Sequence, residues 1–108
     1  MPKIGDVIEL TVDLPAHRLS AGMRGTIVHC HADNAYEIEF ANDHGETIDF
    51  LAAAPAEFIV VWRADTREWA SVTEQATAVI AQLPRDAAAE VLDFARFLLT
   101  RKHQFATF

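Results

Sequence analysis

Apolar and polar residues alternate through much of the first sixty positions, as in Ile8-Glu9-Leu10-Thr11-Val12 and Tyr36-Glu37-Ile38-Glu39-Phe40. Beyond about residue 64 the apolar residues recur at helical spacing, as in Val91, Phe94, Ala95 and Leu98. A period of two marks strands with one buried face, and a period near 3.6 marks helices with one buried stripe. The pattern predicts an α+β chain: a small β unit over residues 1–63, a linker over 64–70 and a two-helix hairpin tail over 71–104.

Five strands are expected, at Asp6–Val12, Thr26–His31, Ala35–Phe40, Glu46–Leu51 and Glu57–Trp62. Asp13-Leu14-Pro15 ends the first, because proline removes a ladder donor and restricts the residue before it. Ala16–Ala21 reads as a loop. Gly22 and Gly25 bracket a turn and suit positive φ or close backbone approach. Asn42-Asp43-His44-Gly45 reads as a hairpin turn. In the fourth strand Thr47, Asp49 and Leu51 share one face, and Ile48 and Phe50 the other. Short strands with glycine turns predict a strongly bent sheet closing into a five-stranded SH3-like β-barrel.

Past the linker, Ser71-Val72-Thr73-Glu74 has the form of a capping box. Pro84 separates the first helix from a second that runs to Lys102. Asp86 at its start and Arg101, Lys102 and His103 at its end match the helix dipole. Val91, Leu92, Phe94, Ala95, Phe97, Leu98 and Leu99 make more than half of that helix apolar. Two helices have little room to bury so wide a stripe, so the excess points to a partner groove or a dimer seam. The competing reading folds the hairpin into one core with the β unit. The ending, Phe105-Ala106-Thr107-Phe108, is apolar for a chain end.

Charge sharpens the picture. Ten acids stand against four bases before Ala64, which places −6 of the net −7 on the β unit. Such a unit repels phosphates and argues against nucleic acid as a partner. Cys30 is the single cysteine, which excludes an intrachain disulfide and fits a cytoplasmic setting. The first residues do not read as a secretory leader, and no apolar run reaches the ~20 residues that span a bilayer.

Candidate chemistry is thin. His29-Cys30-His31 carries zinc-ligating types, yet a strand places the imidazoles on one face and the thiol on the other. The simpler reading makes Cys30 a small core residue between two exposed histidines. Glu37 and Glu39 share a strand face and read as the solvated side of a half-buried sheet, or as an acidic face for a basic partner. Neither a Gly-x-Ser-x-Gly motif nor a Gly-rich phosphate loop occurs. The chain therefore reads as a non-enzyme, with no cofactor and no metal.

Several segments carry a resemblance. Val7-Ile8-Glu9-Leu10, Asp13-Leu14-Pro15, Leu19 through Val28, Ala35 through Phe40 and Gly45-Glu46-Thr47 together look like the family called domain of unknown function 4926, over roughly residues 4 to 62. The resemblance implies a small SH3-like β module. Leu83-Pro84 followed by Glu90-Val91-Leu92-Asp93-Phe94-Ala95-Arg96-Phe97-Leu98 is similar to the helical segment of short bacterial antitoxins. Together these resemblances imply an antitoxin-like neutralising partner of a bacterial toxin. The basic N-terminal DNA-binding region of many antitoxins has no counterpart here. Gly22–Val28 also resembles the KOW-type motif of ribosome-associated proteins, for which Arg18, Arg24 and Arg63 would supply the basic patch.

The expected function is thus protein–protein association with a cognate toxin-like protein. Glu37, Glu39 and Asp49 are the expected charged contacts, and Phe94, Phe97, Leu98 and Leu99 the apolar anchors. The alternatives are a KOW-like nucleic-acid module and a structural homodimer joined through the C-terminal helices.

Overall fold

The computed structural model describes the backbone of residues 1–106 and the side chains of residues 1–101. The side chains of the apolar ending, Phe105–Phe108, and of Lys102 and His103 lie outside that description. The chain divides into a unit of residues 1–76 and a unit of residues 77–108.

In the first unit, among the described residues, six strands form one antiparallel sheet. They are β1 (Val7–Leu10), β2 (Arg24–Cys30), β3 (Tyr36–Ala41), β4 (Thr47–Ala53), β5 (Phe58–Arg63) and β6 (Glu68–Trp69). Their order is β4-β3-β2-β1-β5-β6. This corrects the expectation of a closed five-stranded barrel. The sheet is open, because its edge strands β4 and β6 do not pair with each other. The sixth strand lies in the stretch read as linker: Thr66 and Arg67 turn the chain, and Trp69 then pairs with Trp62. Two residues are too few to show an alternating pattern, which is why periodicity did not find this strand.

Bending is nonetheless pronounced, and its cause is burial. Ile8, Leu10, Ile27, Tyr36, Ile38, Phe40, Leu51, Ala53 and Phe58 come from five strands yet form one buried cluster. A flat sheet cannot seal its own face from water, so this one curls around it. Register shifts between Val7 and Ile8, Ile27 and His29, and Phe40 and Ala41 supply the bends. Leu19, from the segment read as a plain loop, joins the cluster. It is held there by paired backbone hydrogen bonds with Leu14 (2.8 and 3.2 Å) around a short 3-10 turn, Pro15–His17. Strand β5 is buried on both faces. Phe58 and Val60 pack in the cluster, while the alternate residues Ile59 and Val61 are also buried.

Gly25 permits the closest approach in this core. A Cβ at that position would meet Ile38 Cγ2 at 2.6 Å, the Glu39 carbonyl at 2.9 Å and Phe40 Cε1 at 3.0 Å. The sheet is also tied at its first turn. Asp6 is a buried carboxylate that accepts the backbone N–H of Lys3 and of Ala64, each at 2.9 Å. Those two bonds hold the entry to β1 against the exit from β5. The expected Asn42–Gly45 turn is present, with Asn42 Oδ1 accepting the N–H of His44 and of Glu46.

Helix α1 (Val72–Gln82) starts at the expected capping box. Glu74 donates its N–H to Ser71 Oγ (3.0 Å), and Ser71 donates its N–H to Glu74 Oε1 (3.2 Å). The other Glu74 oxygen accepts a hydrogen bond from Arg63 at the end of β5, so one carboxylate caps the helix and ties its first turn to the sheet. Helix α2 (Arg85–Ala106) follows Pro84 and carries Asp86 in its first turn.

Two measurements check this account. Gly25→Ala forces Ile38 and Phe40 out of place, and a loss of about 1–3 kcal/mol is expected in urea unfolding, with an unchanged m-value. For Glu74, the Ser71 N–H and then the Arg63 guanidinium hold the carboxyl below its ordinary value. The cap therefore contributes stability above that ordinary value and loses it as pH falls through the lowered one. NMR titration should place the Glu74 midpoint below a free glutamate's, and Arg63→Gln should move it part of the way back.

Candidate interaction surfaces

The register sets the acidic residues in two places. Glu37 and Glu39 lie on β3 between the inward-facing Tyr36, Ile38 and Phe40, on the outer face of the sheet. Asp49 pairs across the sheet with Phe40, so it sits at the other face, where the core ends. The structure therefore brings Glu37 and Glu39 together and leaves Asp49 apart. Each already has a partner: His31 Nε2 lies 3.3 Å from Glu37, the Thr47 hydroxyl donates to Glu39, and His17 Nδ1 lies 2.8 Å from Asp49. All three contacts are exposed, where ion pairs contribute little to stability.

The His29-Cys30-His31 segment ends β2. A register shift between Ile27 and His29 displaces Val28 from the ladder, and Cys30 is exposed at the strand end. This corrects the reading of Cys30 as a core residue: it pairs with buried Tyr36, yet as the last residue of β2 it stays exposed. The two imidazoles stand edge to face, 4.7 Å between ring centres. Among the described residues, no three His, Cys, Asp or Glu side chains converge as a metal site would require.

The outer face also carries an aromatic row. Cross-strand pairs run in one row from Trp69 through Trp62, Val7, Thr26 and Glu39 to Phe50. Trp69, Phe50 and the neighbouring Ile48 are exposed. The alternation of β4 had already separated Ile48 and Phe50 from Leu51, but only the pairing with β3 shows which side faces water. Arg24 lies over the Trp69 ring at 5.3 Å, with its Nε 3.7 Å from Glu9. Arg63 is engaged by Glu74, so two of the three arginines considered for a basic patch face carboxylates. A shallow groove of about 220 Å³ beside Arg24, Thr26 and Glu39 falls below the ~300–1,000 Å³ of typical ligand sites.

The helices tell a different story. No residue of α1 is buried. On α2 the four expected anchors are all exposed: Phe94 62%, Phe97 51%, Leu98 36% and Leu99 61%. At about 100° per residue, the apolar arc of α2 covers roughly 220° of its circumference. Ala87, Ala88 and Val91 near its centre are half-buried. Both flanks stay open, with Phe94 and Phe97 on one and Leu92 and Leu99 on the other. The Phe94 and Phe97 rings stack at 6.1 Å, and Arg101 lies 5.8 Å from the centre of the Phe97 ring. Among the described residues, no helix is long and apolar enough to cross a membrane.

Residues 4–60, more than half of the chain, match the family described as Domain of unknown function (DUF4926). The match runs from the turn before β1 into β5 and stops short of both helices. No curated protein and no solved structure matches the chain. The order of motifs in the β unit is thus that of an existing family, and the chain belongs to DUF4926.

Proposed function

We propose that this chain is a protein–protein interaction module of antitoxin type, the neutralising partner of a bacterial toxin. The observation that carries the reading is the open apolar arc of α2: Phe94, Phe97 and Leu99 each leave more than half of their surface to water. Contiguous exposed apolar side chains of this size mark binding surfaces. Large aromatic anchors also dominate the energetics of protein interfaces.

Two further features support it. The sheet unit carries most of the net charge of −7, and its acidic character would steer a basic partner into contact. The Leu83-Pro84 and Glu90–Leu98 segments are similar to the helical segment of short bacterial antitoxins, and the second holds Phe94, Phe97 and Leu98, which stand exposed on α2. In this mechanism the helix lays Leu98 and Leu99 into a groove of the toxin and covers its active or substrate surface; Glu37 and Glu39 offer charge to basic side chains. Neutralisation then follows from steric occlusion and needs no chemistry from this chain.

The test is functional. The product of the adjoining gene, expressed alone, should arrest growth, and co-expression of this chain should restore it. Leu98→Asp combined with Leu99→Asp should weaken the complex at least about tenfold in calorimetry. The unfolding transition of the sheet should stay unchanged in that variant. A wild-type chain that fails to protect, or a double variant that binds as tightly as wild type, overturns the reading.

A further inference from the structure

One flank of α2 has an internal symmetry that a generic binding stripe does not need. Glu90, Phe94, Phe97 and Arg101 fall within an arc of about 60° on the helix surface. Their spacing reads acid, aromatic, aromatic, base, symmetric in position and inverted in charge about its midpoint. The midpoint of Glu90 and Arg101 falls between Ala95 and Arg96, and so does the midpoint of Phe94 and Phe97. The structure presents the group as one surface. The two rings stack with an interplanar angle of 21°, both are more than half exposed, and Arg101 sits over Phe97.

A two-fold interface uses one patch on both subunits, so that patch must be complementary to itself. Antiparallel pairing of two α2 helices about the 95–96 midpoint meets this condition. It sets Phe94 of one copy level with Phe97 of the other, and Glu90 level with Arg101, in both halves of the contact. Parallel pairing would instead set Glu90 against Glu90 and Arg101 against Arg101. We propose that the Phe94–Phe97 flank is a homodimer seam, in which a second copy of this chain docks its α2 antiparallel about that midpoint. The proposal goes beyond the neutralising role and does not depend on it: it uses one flank of α2 and leaves Leu92 and Leu99 free on the other.

Magnitudes set the conditions of the test. Two half-exposed phenylalanines offer on the order of 250 Å² of apolar surface per copy, below the ~800 Å² per partner of a standard interface. Dimerisation is therefore expected within about 1–200 µM, the range of a modest association free energy. Sedimentation equilibrium on the full chain should show a monomer–dimer equilibrium there. Glu90→Arg alone and Arg101→Glu alone should each raise the dissociation constant at least about tenfold, because each puts like charges level in both halves of the seam. Mixing the two single variants should restore association as a heterodimer, since every contact in the mixed pair is then opposite in sign. Phe97→Asp should leave a monomer whose helical circular dichroism is unchanged. A wild-type chain that is monomeric at 200 µM overturns the proposal. So does a dimer indifferent to both charge reversals, or a mixture that associates no better than its components.

Discussion

A single sheet with no second sheet to cover it has to seal its apolar face by bending, and the arrangement of the first unit follows from that constraint. Ile8, Ile27 and Ile38 are fully buried although they sit on three adjacent strands of one sheet. That is possible only where the sheet wraps around its own side chains. Two kinds of local feature make the curvature available. Register shifts in the β1–β5, β2–β3 and β3–β4 pairs bend the ladder. Gly25 removes the one Cβ that would hold β2 away from Ile38 and Phe40. Leu19 then closes part of what the strands leave open, carried in by a tight turn.

A curled sheet also needs its distant chain segments held together, and the polar groups that do so cluster at one end. Asp6 accepts hydrogen bonds from the main chain before β1 and after β5, the second from Ala64, 58 positions away. Lys3 and Asp65 add an exposed pair close by, in which each group favours the charged form of the other. Arg63 reaches Glu74 and so passes from the last long strand to the first helical turn. A buried carboxylate satisfied by two N–H groups is a specific tie, because both bonds must be given up to separate the two chain segments. The exposed pairs around it contribute less and serve mainly to fix geometry.

The acidic and apolar surfaces differ in how committed they already are. Glu37, Glu39 and Asp49 each touch a side chain of their own unit, so a partner would have to compete with existing contacts or add to them. Phe94, Phe97 and Leu99 have most of their surface in water, and covering it would recover roughly 25 cal/mol per Å². Apolar burial on α2 and charge on the sheet thus offer different things: the first gives affinity, the second approach and orientation.

What the sequence determined by itself was local. Alternation in Ile8–Leu10 and Tyr36–Phe40, the Asn42–Gly45 turn, the capping box at Ser71–Glu74 and the helical stripe through Leu98 each depend on neighbours within a few positions, and each is present; the first strand stops at Leu10, short of the expected Val12. The family was legible for the same reason, since its motifs lie along the chain in order. Tertiary structure decided what depends on distant partners. Whether the sheet closes rests on whether β4 meets β6, and no local pattern encodes that meeting. Which face of β4 is wet rests on its pairing with β3, which leaves Phe50 outside and Leu51 inside. Cys30 lost its expected burial because β2 ends there, opposite buried Tyr36, and Asp49 was separated from Glu37 and Glu39 by register. Periodicity reports which residues share a face, and only the long-range pairing of strands says what that face meets.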